Sequence, residues 1–465
     1  MLVTGRSRSR RFPILLTLAL IEVLLLLLCF LGPAWGRLTK EWVSRNNGGA
    51  RDWGTALAVD SQGNVYVTGT SEIPRDWGWA AVTIKYDPDG RELWVRRFRG
   101  PASDDSGVAI AVDARGNVYV AGYSEQDWGS FCGDFVTIKY SQDGQELWVR
   151  RYNGPANDHE FPTALALDSR GNVYVTGCST SAETGTDIIT IKYDPDGQEQ
   201  WIRPYAGPGA ANNFAWAMAV DGQDNVLVTG QLGEYPDSDF VTIKYSPDGQ
   251  ELWSRSYNGP DNWDDAAVAL VVDYQGNAYV TGSSGGLSTE GDYATIKYSP
   301  DGQELWVRQY KGDETHWNNP AAIAVDRYGN VYVTGTSTRG EDWEAIADYA
   351  TIKYNPDGRE LWVRRFNRTG KDYGEAYALA LDSQGSIYVT GFSEGVTGSH
   401  YLATVKYSPA GRQLWAEREK YRQSLFPARF LVLDSQDNIL LTGDDYRNNI
   451  CTIKYRQPRR IVNPY

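Results

Sequence analysis

The stretch A-L-A-V-D-S-Q-G-N-V-Y-V-T-G-T at residues 56–70 decides the fold. An apolar run ends at Asp60, a turn of Ser, Gly and Asn follows, and a Val/Tyr/Thr-rich run ends at Gly69. β-Branched and aromatic residues on either side of such a turn read as two antiparallel strands and their hairpin. Moving outward, the Asp returns at Asp113, Asp168, Asp221, Asp273, Asp326, Asp382 and Asp434, at intervals of 52 to 56 residues. A third segment, mostly T-[IV]-K-Y, centres on Lys85, Lys139, Lys192, Lys244, Lys297, Lys353, Lys406 and Lys454. A fourth carries Trp94, Trp148, Trp201, Trp253, Trp306, Trp362 and Trp415, after a turn that often reads S-P-D-G or D-P-D-G. Pro presets one turn residue and Gly supplies the positive φ of the reversal. Each unit is therefore two hairpins, four strands in all.

Four strands per unit at this period is the signature of a β-propeller. No segment keeps a 3.6-residue apolar period, which excludes a helical solenoid. The ends fix the count. The last unit stops at Tyr455 without a Trp strand, and the missing piece stands at the start, as L-T-K-E-W-V-S-R at residues 38–45 around Trp42. Closing the ring removes two free sheet edges. The sequence predicts an all-β chain. Residues 38–455 form a single eight-bladed β-propeller of four-stranded antiparallel blades, closed by an N-terminal strand, and 456–465 form a tail.

The segments at 56–70 and at 292–306 (D-Y-A-T-I-K-Y-S-P-D-G-Q-E-L-W) resemble the bacterial SBBP propeller repeat, and the resemblance runs over residues 38–455. It implies an exported bacterial propeller of largely unassigned function. It also implies seven blades, the alternative to the count of eight. Unit eight departs most from the pattern, with Leu440 in the usual Tyr position and Asn449 where five other units have Asp. The P-D-G-Q-E-L-W turn is similar to the docking turns of quinoprotein dehydrogenases, and V-D-x-x-G-N-V-Y-V to NHL propellers; both likenesses are general propeller grammar.

The chain has 465 residues, 45 basic and 59 acidic, with three His and four Cys. An acidic balance argues against nucleic acid as a partner, because phosphate binding needs a basic surface. The few His argue against a His-rich metal centre, and the few Cys against a disulfide scaffold. Residues 1–36 join Arg6, Arg8, Arg10 and Arg11 to an almost wholly apolar run at 14–31, then Ala34 and Gly36. This reads as an export signal cut near Gly36, with an uncleaved membrane anchor as the alternative. Loss of four Arg and one Glu there carries the net charge from −14 to −17. The expected location is periplasmic, extracellular or on the cell surface, and the expected state is a monomer.

With the Trp strand outermost, the Asp-ending strand borders the central channel. The two tight turns then fall on one face and the longer loops on the other, where binding usually sits. The Trp residues outside the repeat position and the leader are Trp53, Trp77, Trp79, Trp128, Trp216, Trp263, Trp317 and Trp343, all in or beside the longer loops. His159, His316 and His400 lie there too, with acids that include Asp105, Glu160 and Asp265. Indole faces stack on sugar C–H surfaces and acids accept hydroxyl hydrogen bonds, so the expected ligand is a glycan. A cationic peptide or other protein ligand is the alternative. Packing of the loops themselves competes as an explanation for any single Trp.

Asp87 and Asp89 in D-P-D-G imitate the start of a calcium loop, but the run enters a strand without the later ligands and reads as a turn. No cofactor is expected, and calcium is the one ion the sequence imitates. The recurrent Lys is expected in solvent or paired with acids on a neighbouring strand. Cys132 and Cys178 are disulfide candidates, and Cys451 reads as a small buried hydrophobe. No nucleophile, metalloprotease or phosphate-loop motif occurs. The expectation is a non-catalytic exported binding protein. The alternatives are a polysaccharide hydrolase or lyase with carboxylates at the channel mouth, and a structural surface module.

Overall fold

A computed structural model describes residues 38–457, apart from 49–50, 75–77, 103, 126–132, 208–211, 235, 287–290, 313–316, 341–345, 368–372, 396–397, 422–428 and 446–447. The leader expectation therefore lies outside the described residues.

Eight four-stranded sheets form, each an antiparallel meander. Blades 1 to 7 span residues 52–98, 105–152, 160–205, 214–257, 265–310, 318–366 and 374–421. Blade 8 takes three strands from 430–456 and its outer strand from Thr39–Asn46. That N-terminal strand pairs antiparallel with Ile450–Arg456, Thr39 opposite Arg456 and Asn46 opposite Ile450. The count of eight holds, and the seven-blade alternative does not.

The turn after each inner strand is built by its Asp. Asp60 Oδ1 accepts from the backbone N–H groups of Gln62 and Asn64, each at 2.9 Å, and Oδ2 accepts from Asn64 Nδ2 at 2.7 Å and the Tyr66 hydroxyl at 2.9 Å. An Asp that satisfies local backbone donors fixes a tight turn without another strand's help. Asp87 does the same for the second tight turn, accepting from the N–H groups of Asp89 and Arg91.

The core lies between blades, as a ring of clusters. Tyr174, Ile188 and Trp201 of blade 3 pack on Ala215, Val226 and Val228 of blade 4. Leu440 and Ile450 of blade 8 pack on Leu57, Val65 and Val82 of blade 1, which closes the ring.

The recurrent Lys is not in solvent. All eight are buried. Lys139 Nζ and Trp148 Nε1 both donate to the Pro195 carbonyl oxygen in the next blade, at 2.7 and 3.1 Å. Lys192 and Trp201 converge in the same way on Pro247, and Lys244 and Trp253 on Pro300. Lys244 also meets Asp221 at 2.9 Å. At the closure, Trp42 and Lys454 of blade 8 both reach the Pro88 carbonyl. Blade 8 borrows its outer strand and so has no turn of this kind to offer blade 7. There Lys406 turns to the Gln457 side chain, and Trp415 Nε1 has no partner among the described residues.

Candidate functional site

The tight turns of the blades, two in each of blades 1 to 7 and one in blade 8, share one face, and the longer connections share the other. On the loop face, three expected ligand-binding acids have a different role. Asp105, Glu160 and Asp265 are fully buried. Asp105 Oδ2 accepts from Gly100 N–H at 2.7 Å, and Asp265 Oδ2 from Gly259 N–H at 2.5 Å. Glu160 Oε1 accepts from the Ser179 hydroxyl at 3.0 Å. Asp52 binds Gly48 in the same way in blade 1. These acids fold the inter-blade loop down onto its own blade, and burial raises the carboxyls of Asp105 and Asp265 and takes Glu160 to about 7. They are corrected from ligand contacts to loop anchors.

The Trp residues divide. Trp53 and Trp79 stack, ring centroids 4.5 Å apart and planes 30° apart. Trp216 stands at the bulge of the blade 4 inner strand, between Ala215 and Ala217, where the extra residue leaves the ladder; it is 46% exposed and stacked near Phe214. Trp263 and Trp317 are half-buried in loops, the Trp317 carbonyl being held by Thr338. His159 is exposed, 3.6 Å from Asp158. Trp77, Trp128, Trp343 and His316 lie outside the described residues. So does Cys132; Cys178 and Cys451 are buried. Among the described residues, no group of three or more His, Cys, Asp and Glu is placed to hold a metal ion.

A cavity opens on this face, between blades 8 and 1. It measures about 380 Å³ and is lined by Trp53, Gly54, Thr55, Arg429, Phe430, Gly443 and Asp444. Asp444 is 7% exposed, and its Oδ1 accepts from Gly54 N–H at 3.0 Å. Burial raises its carboxyl to about 7, against the Gly54 N–H and the Arg429 guanidinium, which favour the charged form. The Arg429 guanidinium sits 5.5 Å from the Tyr377 ring centre, and the hydroxyls of Tyr373 and Tyr377 both donate to Glu375.

The repeat supplies its own control for this cavity. What the blade needs recurs in every blade, whereas a site needs residues that one blade alone carries. The inner-strand position opposite the second-strand Thr (Ala in blade 2) is Ala from Ala56 to Ala378 and Phe430 in blade 8. The residue after the second-strand Gly is neutral from Thr70 to Phe392 and Asp444 in blade 8. The bulge residue is uncharged from Thr55 to Tyr377 and is replaced by Arg429 in blade 8. Sequence reasoning missed all three because it counted acids and Trp by loop. The signal was present as unit eight's departure from the pattern.

Residues 43–73, 93–126, 147–182 and 305–339 match the SBBP beta-propeller repeat. Those four stretches carry the repeat. An uncharacterized WD repeat-containing protein of Acanthamoeba polyphaga mimivirus is 23% identical over 83% of this chain and 32% of its own length. The regulatory protein FlaEY of Caulobacter vibrioides is 30% identical over 32% of this chain and 18% of its own length. The chain thus spans about a third or less of these two curated relatives. Among solved structures, the WD40 domain of SCAP from fission yeast superposes with a TM-score of 0.49 at 10% identity, over 90% of this chain and 98% of that one.

Proposed function

We propose that this protein is a non-catalytic, exported or surface-held propeller that binds a glycan on its loop face. The observation that carries the reading is the stacked Trp53–Trp79 pair beside an aromatic-walled cavity, at a junction where Phe430, Asp444 and Arg429 depart from the repeat. A concave site with apolar walls and few polar groups is the usual form of a small-ligand site. The exposed aromatics Trp216 and Phe161 extend apolar contact points around the same face. The hydrolase or lyase reading calls for a second acid facing the cavity; Asp445 and Asp52 lie close enough to act on Asp444, and neither is among the described lining residues.

Calorimetric titration of the protein with a polysaccharide panel tests the proposal. Binding to one polysaccharide class without release of shorter products, weakened by Trp53→Ala, is the expected result. Product release would favour the enzyme, and silence across the panel would overturn glycan binding.

A further inference from the structure

The cavity between blades 8 and 1 presents both signs of charge and an aromatic wall within one small space. Trp79 backs the Trp53 ring and holds it in place. Asp444 Oδ1 is taken by Gly54 N–H, while Oδ2 accepts no hydrogen bond from the described residues. Arg429 is exposed at the rim on the Tyr377 ring.

We infer that this cavity is the subsite for one neutral sugar ring of a glycan chain, with Trp53 against its C–H face, Asp444 Oδ2 accepting from one hydroxyl and Arg429 donating to another. The inference rests on the glycan reading above and adds to it the place and the chemical class. A cationic ligand would meet the Arg429 guanidinium. An anionic sugar would meet Asp444 inside a protein of net charge −14. A neutral polyol uses both groups, because a hydroxyl donates to a carboxylate and accepts from a guanidinium. Hydrogen bonds with one charged partner are the strong ones, and a water-poor cavity strengthens them further. Phe430 fills the inner wall where seven blades leave only an Ala methyl, so the cavity's apolar wall belongs to this junction alone.

The test uses the repeat's own alternatives. Asp444→Thr installs the residue of blades 1 and 6, Thr70 and Thr336, and Phe430→Ala installs the residue of the other seven blades. The full chain and both variants are titrated with neutral cellohexaose and mannohexaose, anionic oligogalacturonate and cationic oligolysine, with melting temperatures recorded alongside. The expected result is preference for a neutral oligosaccharide, weakened about tenfold by Asp444→Thr, the scale of one lost charge-assisted hydrogen bond, and weakened also by Phe430→Ala. Each variant is titrated well below its own melting temperature, which falls because Asp444 holds Gly54 across the closure and Phe430 packs on the core beside it. If Asp444→Thr fails to fold, Arg429→Thr at the exposed rim carries the same expectation. Neutral-glycan binding that both variants leave untouched would overturn the subsite and leave the glycan reading standing. Tighter binding of oligogalacturonate or oligolysine would overturn the neutral-ring chemistry. No binding of any oligosaccharide would overturn both readings.

Discussion

The indole N–H of Trp148 donates to the carbonyl oxygen of Pro195 in the following blade, 3.1 Å away. The same relation joins Trp94 to Gln142, Trp306 to Pro356 and Trp362 to Pro409. Each outer strand except that of blade 7 is therefore clamped to its neighbour's tight turn, and the turn sequence is a docking element as much as a reversal. The tight-turn face holds the ring together. The loop face is left to vary.

The Lys beside each clamp is a buried cation, and its removal should be costly. Lys244 lies 2.9 Å from Asp221, with both side chains almost fully buried. Lys244→Met leaves that carboxylate without its cation, and breaking a buried pair from one side costs about 3 kcal/mol or more. Urea denaturation should show the loss, and adding Asp221→Asn to Lys244→Met should recover part of it.

The Gly of the docking turn should not tolerate a side chain. Gly144 has φ of 77°, and a Cβ there would stand 2.8 Å from Trp94 Cδ2 in the preceding blade. Gly144→Ala combines left-handed strain with a clash on a packed indole, so a loss of about 2 kcal/mol is expected. A melting temperature no lower than that of the parent would show that the clamp is slack.

Glu160 should make stability fall with rising pH. Burial holds its carboxyl at about 7, above an ordinary value of about 4.3. The folded state therefore binds this proton more tightly, and its contribution is full below about 4.3 and lost as pH climbs through about 7. Glu160→Gln keeps an oxygen for the Ser179 hydroxyl and removes the titration. Denaturation at pH 5 and pH 8 should show a smaller decline in Glu160→Gln than in the parent.

The closing strand should keep the protein monomeric. Without Thr39–Asn46, the strand Ile450–Arg456 becomes a free edge, and free edges recruit other chains. A chain starting at residue 47 should elute as concentration-dependent oligomers, whereas one starting at residue 38 should elute as a monomer.

The ring was readable because its grammar is local and repeated. The eight Asp, the Gly at each second-strand end and the Trp42 segment placed every blade and the closure. Burial was not readable in the same way. Lys139 in T-I-K-Y alternates like a solvent-facing residue, and only the neighbouring blade's Pro195 carbonyl explains why it is buried. Asp105, Glu160 and Asp265 looked like loop-face acids, because the loops that fold over them carry no sequence mark beyond a Gly. Their recurrence at one register position was the missed clue. Phe430 and Asp444 were legible only as departures from the other seven units.

The closure also determines when the cavity can exist. Gly54 and Asp444 are 390 residues apart in sequence and hydrogen-bonded across the last junction. Every other blade is a local meander, able to form while distant parts of the chain are still searching, whereas this contact waits for the longest loop to close. The cavity is thus absent from any ring that is open between blades 8 and 1. A ligand seated there binds the closed ring and not the open one, and by mass action it stabilises the closed ring. Occupancy and ring integrity become one equilibrium, so the protein's resistance to unzipping at blade 8 would rise with ligand concentration.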